Sequence, residues 1–127
     1  MKILIVVDMQ KDFISGPLGT AEARAIVPYV AEKAKNTPRE NLFVTLDTHQ
    51  PNYMETNEGR HLPVPHCIEG TEGHALDNAI AAAVDGIPAS RIIRKPTFGL
   101  VALPDMLRAL RNRRRKLNLS AYAPAFA

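Results

Sequence analysis

Three short stretches carry side chains able to do chemistry together. Asp8 follows the apolar run Lys2 to Val7, Asp47-Thr48-His49 follows Leu42 to Leu46, and Lys95 follows Arg91 to Arg94. A carboxylate at the end of an apolar strand can serve as general base for a thiol; it can equally cap the turn that follows. Lys95 can pair with Asp8 and favour a neighbouring thiolate by its charge, although a lone lysine at a strand end is ordinarily just solvated. Asp47 and His49 are two residues apart, so on extended chain they share a face. With His66 they make one carboxylate and two imidazoles, a donor set for zinc, iron or manganese that leaves positions open for water or a substrate atom. A capping aspartate and two surface histidines are the plainer reading.

The elements that must position these groups alternate between strand and helix. Lys2 to Val7 is a continuous Ile- and Val-rich run, the pattern of a strand buried on both faces of a parallel sheet. Val27, Val30, Ala31 and Ala34 form a helical stripe, with Pro28 expected in its first turn. Leu42 to Leu46 is the second strand. The segment from Asp47 to Gly73 has no clean period, and a loop of that length in a compact domain is usually functional. His74 to Val84 reads as a second helix closed by Asp85-Gly86, Arg91 to Arg94 as a third strand, and Leu103, Met106, Leu107 and Leu110 as a third helical stripe. This order predicts an α/β fold of three layers, αβα, built on a doubly wound parallel sheet whose ligands sit at the carboxyl ends of the strands. Asp8, Asp47, His49 and Lys95 all fall at those ends. The first strand runs into Asp8-Met9-Gln10-Lys11-Asp12-Phe13 with no glycine-rich loop, so a dinucleotide fingerprint is absent.

With 127 residues, one domain is expected. No apolar run is long enough to span a bilayer, and the N-terminus lacks the form of a secretory signal. A single cysteine, Cys67, excludes an internal disulfide and fits a reducing, cytoplasmic setting. The net charge of +3 is a local property: Arg111, Arg113, Arg114, Arg115 and Lys116 lie in an acid-free end, and without these five of its 16 cations the chain has 11 basic against 13 acidic residues.

Four pieces in order, Val6-Val7-Asp8-Met9-Gln10-Lys11-Asp12-Phe13, Asp47-Thr48-His49, Pro63 to Gly73 around His66-Cys67, and Lys95-Pro96-Thr97-Phe98-Gly99, resemble the isochorismatase-like cysteine hydrolases, and within them the nicotinamidase/pyrazinamidase branch. The resemblance runs from residue 2 to about residue 110. It implies an Asp-Lys-Cys amidase acting on a small heteroaromatic amide, with Asp8 and Lys95 catalytic, Asp47, His49 and His66 holding a divalent metal, Phe13 as an aromatic wall for the substrate, and no organic cofactor; a hydrophobic plug is an equally ordinary job for Phe13. His61 and His74 do not match the ligand pattern and are expected at the surface or a helix start. Cys67 adjoins His66 in the metal-loop motif, whereas the family nucleophile lies on a turn after the fourth strand, at a helix N-terminus that lowers its pKa; Cys67 is therefore not expected to be the nucleophile.

On this resemblance, residues 1–112 are expected to be the N-terminal part of the hydrolase domain. Residues 113–127 are expected to be an out-of-frame basic and Ala-rich tail standing where the family continues with its fourth strand and catalytic turn. Codons built from the third base of one residue and the first two of the next let Arg114 to Ser120 read Glu-Lys-Ile-Glu-Leu-Ile, and Ser120 to Ala127 read Gly-Leu-Cys-Thr-Gly-Ile-Cys. Sequencing the coding DNA around codons 110 to 127 decides it. A chain so shortened is expected to lack its nucleophile and activity, and to associate through an unpaired sheet edge; the sequence leaves a homo-oligomer open. Two rival functions stand beside the amidase: hydrolysis of a vinyl ether, the isochorismatase reaction proper, which needs no cysteine, and nucleic-acid binding through residues 111–116. Asp47-Thr48-His49 and His66 favour the metal-bearing amidase. No nucleic-acid or membrane partner is expected.

Overall fold

The computed structural model describes residues 2–95 and 118–124. Four parallel strands, β1 (Lys2–Val7), β2 (Leu42–Asp47), β3 (Ile92–Lys95) and β4 (Asn118–Tyr122), form one sheet in the order β3-β2-β1-β4. Four helices, α1 (Lys11–Ile14), α2 (Ala21–Lys35), α3 (Asn57–His61) and α4 (Asn78–Ala83), and several 3₁₀ turns connect them among the described residues. The chain adds β2 and β3 on one side of β1, then returns to place β4 on the other. That reversal makes the carboxyl end of β1 the topological switch point, the usual ligand position in such sheets.

The strands form where apolar runs are buried from both sides. Leu4 and Val6 of β1 and Leu42, Val44 and Leu46 of β2 pack against Val27, Val30, Ala31 and Ala34 of α2 and Ile80 and Ala83 of α4. On the opposite face Ile3, Ile5 and Phe43 are buried as well. Burying each of the larger side chains favours the fold by about 1.5–3 kcal/mol, so a charge at Val30 or Val44 would break the sheet–helix contact. Register follows from this packing, because a one-residue slip would turn the apolar set outward. Val7 pairs with Thr45 and Asp47 with Lys95, so β2 and β3 end level with each other and run two residues past the end of β1.

Several sequence expectations are revised. Helix α2 begins at Ala21, not near Pro28, because the Thr20 hydroxyl accepts the Ala23 amide at 3.0 Å and caps it. Pro28 then lies inside the helix, where it lacks an amide to donate. Helix α4 is shorter than expected: Asp77 caps it by accepting the Ala79 and Ile80 amides, so it starts at Asn78, four residues after His74. His74 ends a 3₁₀ turn, Glu72–His74, and is buried; it is not a surface residue. Residues 118–122, read as tail, are a strand of the sheet, paired from Lys2↔Asn118 to Val6↔Tyr122. The sheet thus has a fourth strand where three were expected; the alternation Leu117, Leu119, Ala121 against Asn118, Ser120, Tyr122 has the period of two that a strand requires. The expected third helix around Leu103 to Leu110 and the basic cluster at 111–116 lie outside the described residues. No helix among the described residues is long and apolar enough to cross a membrane.

Candidate active site

Asp8 leaves β1 in the left-handed region, with φ of 53°. That conformation costs a non-glycine residue of order 1–3 kcal/mol, and aspartate is among the residues that tolerate it. The turn keeps the Asp8 amide on the ladder, donating to the Thr45 carbonyl at 3.1 Å, and aims the carboxylate across β2. There the Thr45 hydroxyl donates to Oδ1 at 2.8 Å and Lys95 Nζ meets Oδ2 at 2.7 Å. Both partners of the ion pair are buried. Burial pushes the Asp8 carboxyl above the ordinary carboxylate range, and the Lys95 and Thr45 contacts offset only part of it. A carboxyl held in that direction is suited to carrying a proton.

Beside this pair lie Asp47, His49 and His66, all buried, each with one donor atom within 4.8 Å of the others. Asp47 Oδ2 is 3.0 Å from His49 Nε2 and 3.4 Å from His66 Nε2. The His66 Nδ1 hydrogen is donated to the Val64 carbonyl at 2.7 Å, which fixes the ring and turns Nε2 toward Asp47. Burial alone would raise the Asp47 pKa, but His66, His49 and Lys95 hold it below the usual value. Burial alone would lower that of His66, but Asp47, the Val64 carbonyl and Asp12 hold it above.

The cluster fits a divalent cation. Asp47 Oδ1 and His66 Nε2 are fully buried polar atoms without a hydrogen-bond partner, a costly condition that a shared cation would relieve. The His66 Nε2–Asp47 separation is an ion-pair distance without hydrogen-bond alignment, so the orphaned state of Nε2 and the short contact are compatible. One carboxylate and two imidazoles are the donors zinc accepts.

The structure brings Asp8, Lys95, Asp47, His49 and His66 to one rim of the sheet. Phe13 is there too, fully buried, its ring edge-on to His66 with centroids 5.3 Å apart. His61 is apart from the cluster, its Nδ1 bound to the Asn57 carbonyl. Cys67 is completely buried; burial, together with the carboxylates of Asp47, Asp12 and Asp8, drives its thiol well above the ordinary range, which makes it a poor nucleophile.

Sequence reasoning missed four residues here. Tyr53 packs against both imidazoles, 4.6 Å from His49 and 5.0 Å from His66, which themselves lie 4.9 Å apart, and donates its hydroxyl to the Leu62 carbonyl. Glu58, on α3, places Oε2 3.7 Å from His49 Nε2, buried and without a hydrogen-bond partner. Thr56-Asn57-Glu58, with its capping threonine, was the one signal available. Gln10 and Asp12 reach the two metal-cluster segments from the turn after β1.

Comparison with known proteins bears on these observations. The isochorismatase domain model matches residues 2–119. The fold is similar to that of the pyrazinamidase of Pyrococcus horikoshii solved in complex with zinc, 29% identical, with a TM-score of 0.66 over 96% of this chain and 70% of that one. It is also similar to the pyrazinamidase/nicotinamidase of Streptococcus mutans, 25% identical, with a TM-score of 0.74 over 97% of this chain and 72% of that one. The N-carbamoylsarcosine amidase of Thermoplasma acidophilum, 24% identical, shares the fold with a TM-score of 0.65 over 94% of this chain and 66% of that one. No curated protein sequence matches the chain.

Proposed function

The chain belongs to the isochorismatase family of hydrolases, and from that premise we propose that its residues form the acid–base and metal-binding part of a nicotinamidase-like amide hydrolase. The observation that carries the reading is the 2.7 Å Lys95–Asp8 pair standing beside the Asp47, His49 and His66 cluster. In the reaction so assigned, a thiolate attacks the carbonyl carbon of a small heteroaromatic amide, the C–N bond breaks and ammonia departs, and water then cleaves the C–S bond of the thioester to release the acid and restore the thiol. Asp8 takes the thiol proton and passes it to the departing nitrogen, while Lys95 holds Asp8 in place and favours the anionic forms. Asp47, His49 and His66 would hold a divalent cation, which when bound supplies Lewis acidity and a docking point for a ring nitrogen. Phe13, against His66, would form part of the wall on which the ring lies.

The thiol itself is not among these groups. The one cysteine of the chain is buried with its proton firmly held, so the chain by itself is proposed to be inactive on amides. A free, buried thiol also agrees with a reducing, cytoplasmic setting. The test is ammonia release from nicotinamide and pyrazinamide, measured on the zinc-loaded chain and on a frame-restored version carrying the added cysteine turn. Release by the second and not the first is expected. Release by neither defeats the amidase reading.

A second reading is favoured by one feature: the Asp8–Lys95–Thr45 unit is complete without a thiol. Vinyl ether hydrolysis requires proton transfer but no such nucleophile, so turnover of isochorismate by the chain as it stands, lost in Asp8→Asn, would select it. The nucleic-acid alternative rests on residues 111–116 alone, and salt-dependent binding lost on deleting residues 111–127 would be needed to support it.

A further inference from the structure

The hydrogen-bond ladder between β1 and β2 has an unusual continuation. Backbone pairing ends when Asp8 turns away, after its amide has bonded the Thr45 carbonyl. Two residues further along β2, Asp47 still needs partners on that side for its amide and carbonyl. Both come from the Gln10 side chain: the Asp47 amide donates to Oε1 at 2.9 Å, and Nε2 donates to the Asp47 carbonyl at 2.9 Å. A primary carboxamide has the same donor–acceptor spacing as a peptide group, so Gln10 serves as the next rung of the sheet. The second Nε2 hydrogen goes to the His74 carbonyl at 2.7 Å. Gln10 is wholly buried, and each of its hydrogens is used.

The same turn makes a second contact of this kind. Asp12 Oδ2 accepts the Cys67 amide at 2.8 Å, and Cys67 follows His66 directly with φ of 49°, a left-handed conformation that must be held by its surroundings. Gly73 lies so close to Asp12 that a Cβ there would run into its carboxylate. Across one turn of chain, Gln10 thus grips the backbone of Asp47 and Asp12 grips the backbone beside His66.

We infer that Gln10 and Asp12 are positioning residues for the metal cluster, Gln10 standing in for strand backbone where β1 has departed to present Asp8 and Asp12 holding the loop backbone beside His66. This rests on the assignment of Asp47, His49 and His66 as a cation site. It goes beyond that assignment by locating what sets the separation of the donors: two side chains of the segment that also carries Asp8, so the acid–base and metal halves share one support. Partners of metal ligands are commonly worth about 10–100-fold in metal affinity.

The experiment is zinc affinity of the full chain, measured by competition with a chromophoric chelator. Gln10→Ala and Asp12→Ala should each weaken zinc about 10–100-fold, and Asp12→Asn, which keeps an acceptor oxygen, should stay close to the parent. Gln10→Glu keeps the acceptor for the Asp47 amide but turns an oxygen toward the Asp47 and His74 carbonyls, so it should weaken zinc as well and alter the visible spectrum of the cobalt-loaded protein. A Gln10→Ala variant that binds zinc like the parent overturns the inference; a parent that binds no zinc overturns the cation assignment instead. Should the alanine variants not fold, the parent alone decides: its Gln10 side-chain NH₂ resonances should be slow to exchange and should shift when zinc is added. Resonances indifferent to zinc would overturn the proposal.

Discussion

The Asp8–Lys95 pair and the Asp47–His49–His66 cluster are equally buried and side by side, yet they are finished to different degrees. Each oxygen of Asp8 has a partner within 2.8 Å, one a hydroxyl and one an ammonium. In the cluster, Asp47 Oδ1 and His66 Nε2 have none. The first region is electrically closed by the protein's own groups. The second is closed only when something positive arrives, and this separates a group that works on protons from one that holds a guest.

The largest effect expected from this difference is on stability. Lys95→Met strands the Asp8 carboxylate in a buried place, and breaking such a pair costs about 3–5 kcal/mol. The double variant Asp8→Asn with Lys95→Met should recover most of that, measured by urea unfolding. Equal costs for the single and double variants would mean that the two groups do not act as one unit.

Next in size is the response to zinc. A ligand at about 100 times its Kd stabilises the folded state by about 2.7 kcal/mol. Zinc should raise the melting temperature of the parent and of Asp8→Asn alike. It should leave Asp47→Ala unmoved. A zinc shift that depends on Asp8 as strongly as on Asp47 would merge the two regions into one.

Much of this arrangement can be read without coordinates. A strand buried on both faces must be a continuous apolar run, so Lys2 to Val7 and Leu42 to Leu46 announce their own ends. In a parallel sheet those ends share a rim. That is why Asp8, Asp47, His49 and Lys95 could be placed together from sequence. Tyr53, Glu58 and His74 could not, because they belong to residues 48–74, whose path is set by cross-loop bonds such as Thr48 to His74 and His49 to Cys67. The role of Gln10 was equally hidden. A buried glutamine has no periodicity, and its use as a rung appears only once β1 is seen to turn away. Pro28 misled for a related reason: the Thr20 cap outweighs the preference of proline for a first turn.

The pH dependence of the metal-free protein should expose the two regions with opposite signs. Asp8 has a folded pKa above its unfolded one, so the folded state keeps the proton longer, and this group's contribution to stability falls as pH rises through that window. Asp47 is shifted down, so its contribution is present above the ordinary carboxylate range and is lost as pH falls through the folded value. His66 is shifted up; its contribution is full below the ordinary imidazole value and lost as pH rises through the folded one. Urea midpoints from about pH 3 to about pH 8 should therefore lose the Asp8-linked decline in Asp8→Asn and the acid-side loss in Asp47→Asn. An acid-side loss that survives Asp47→Asn would assign it elsewhere.

The smallest and most local effect should come from Thr56, which reaches only one of the two regions. Its hydroxyl accepts the Gly59 amide at 3.1 Å, capping α3, and donates to the Tyr53 carbonyl. Helix α3 carries Glu58 toward His49, and Tyr53 packs against both imidazoles. Thr56→Ala should cost about 1 kcal/mol through the lost cap. If that loss is confined to the loop and linked to binding, it corresponds to about a fivefold weaker hold on zinc, since about 1.4 kcal/mol is tenfold. Neither of these Thr56 hydrogen bonds involves Asp8 or Lys95, so the energy recovered in the Asp8, Lys95 double variant should be the same with or without Thr56. A change in that recovery would show that the loop supports the acid–base pair as well, and that the two regions differ in occupancy but not in construction.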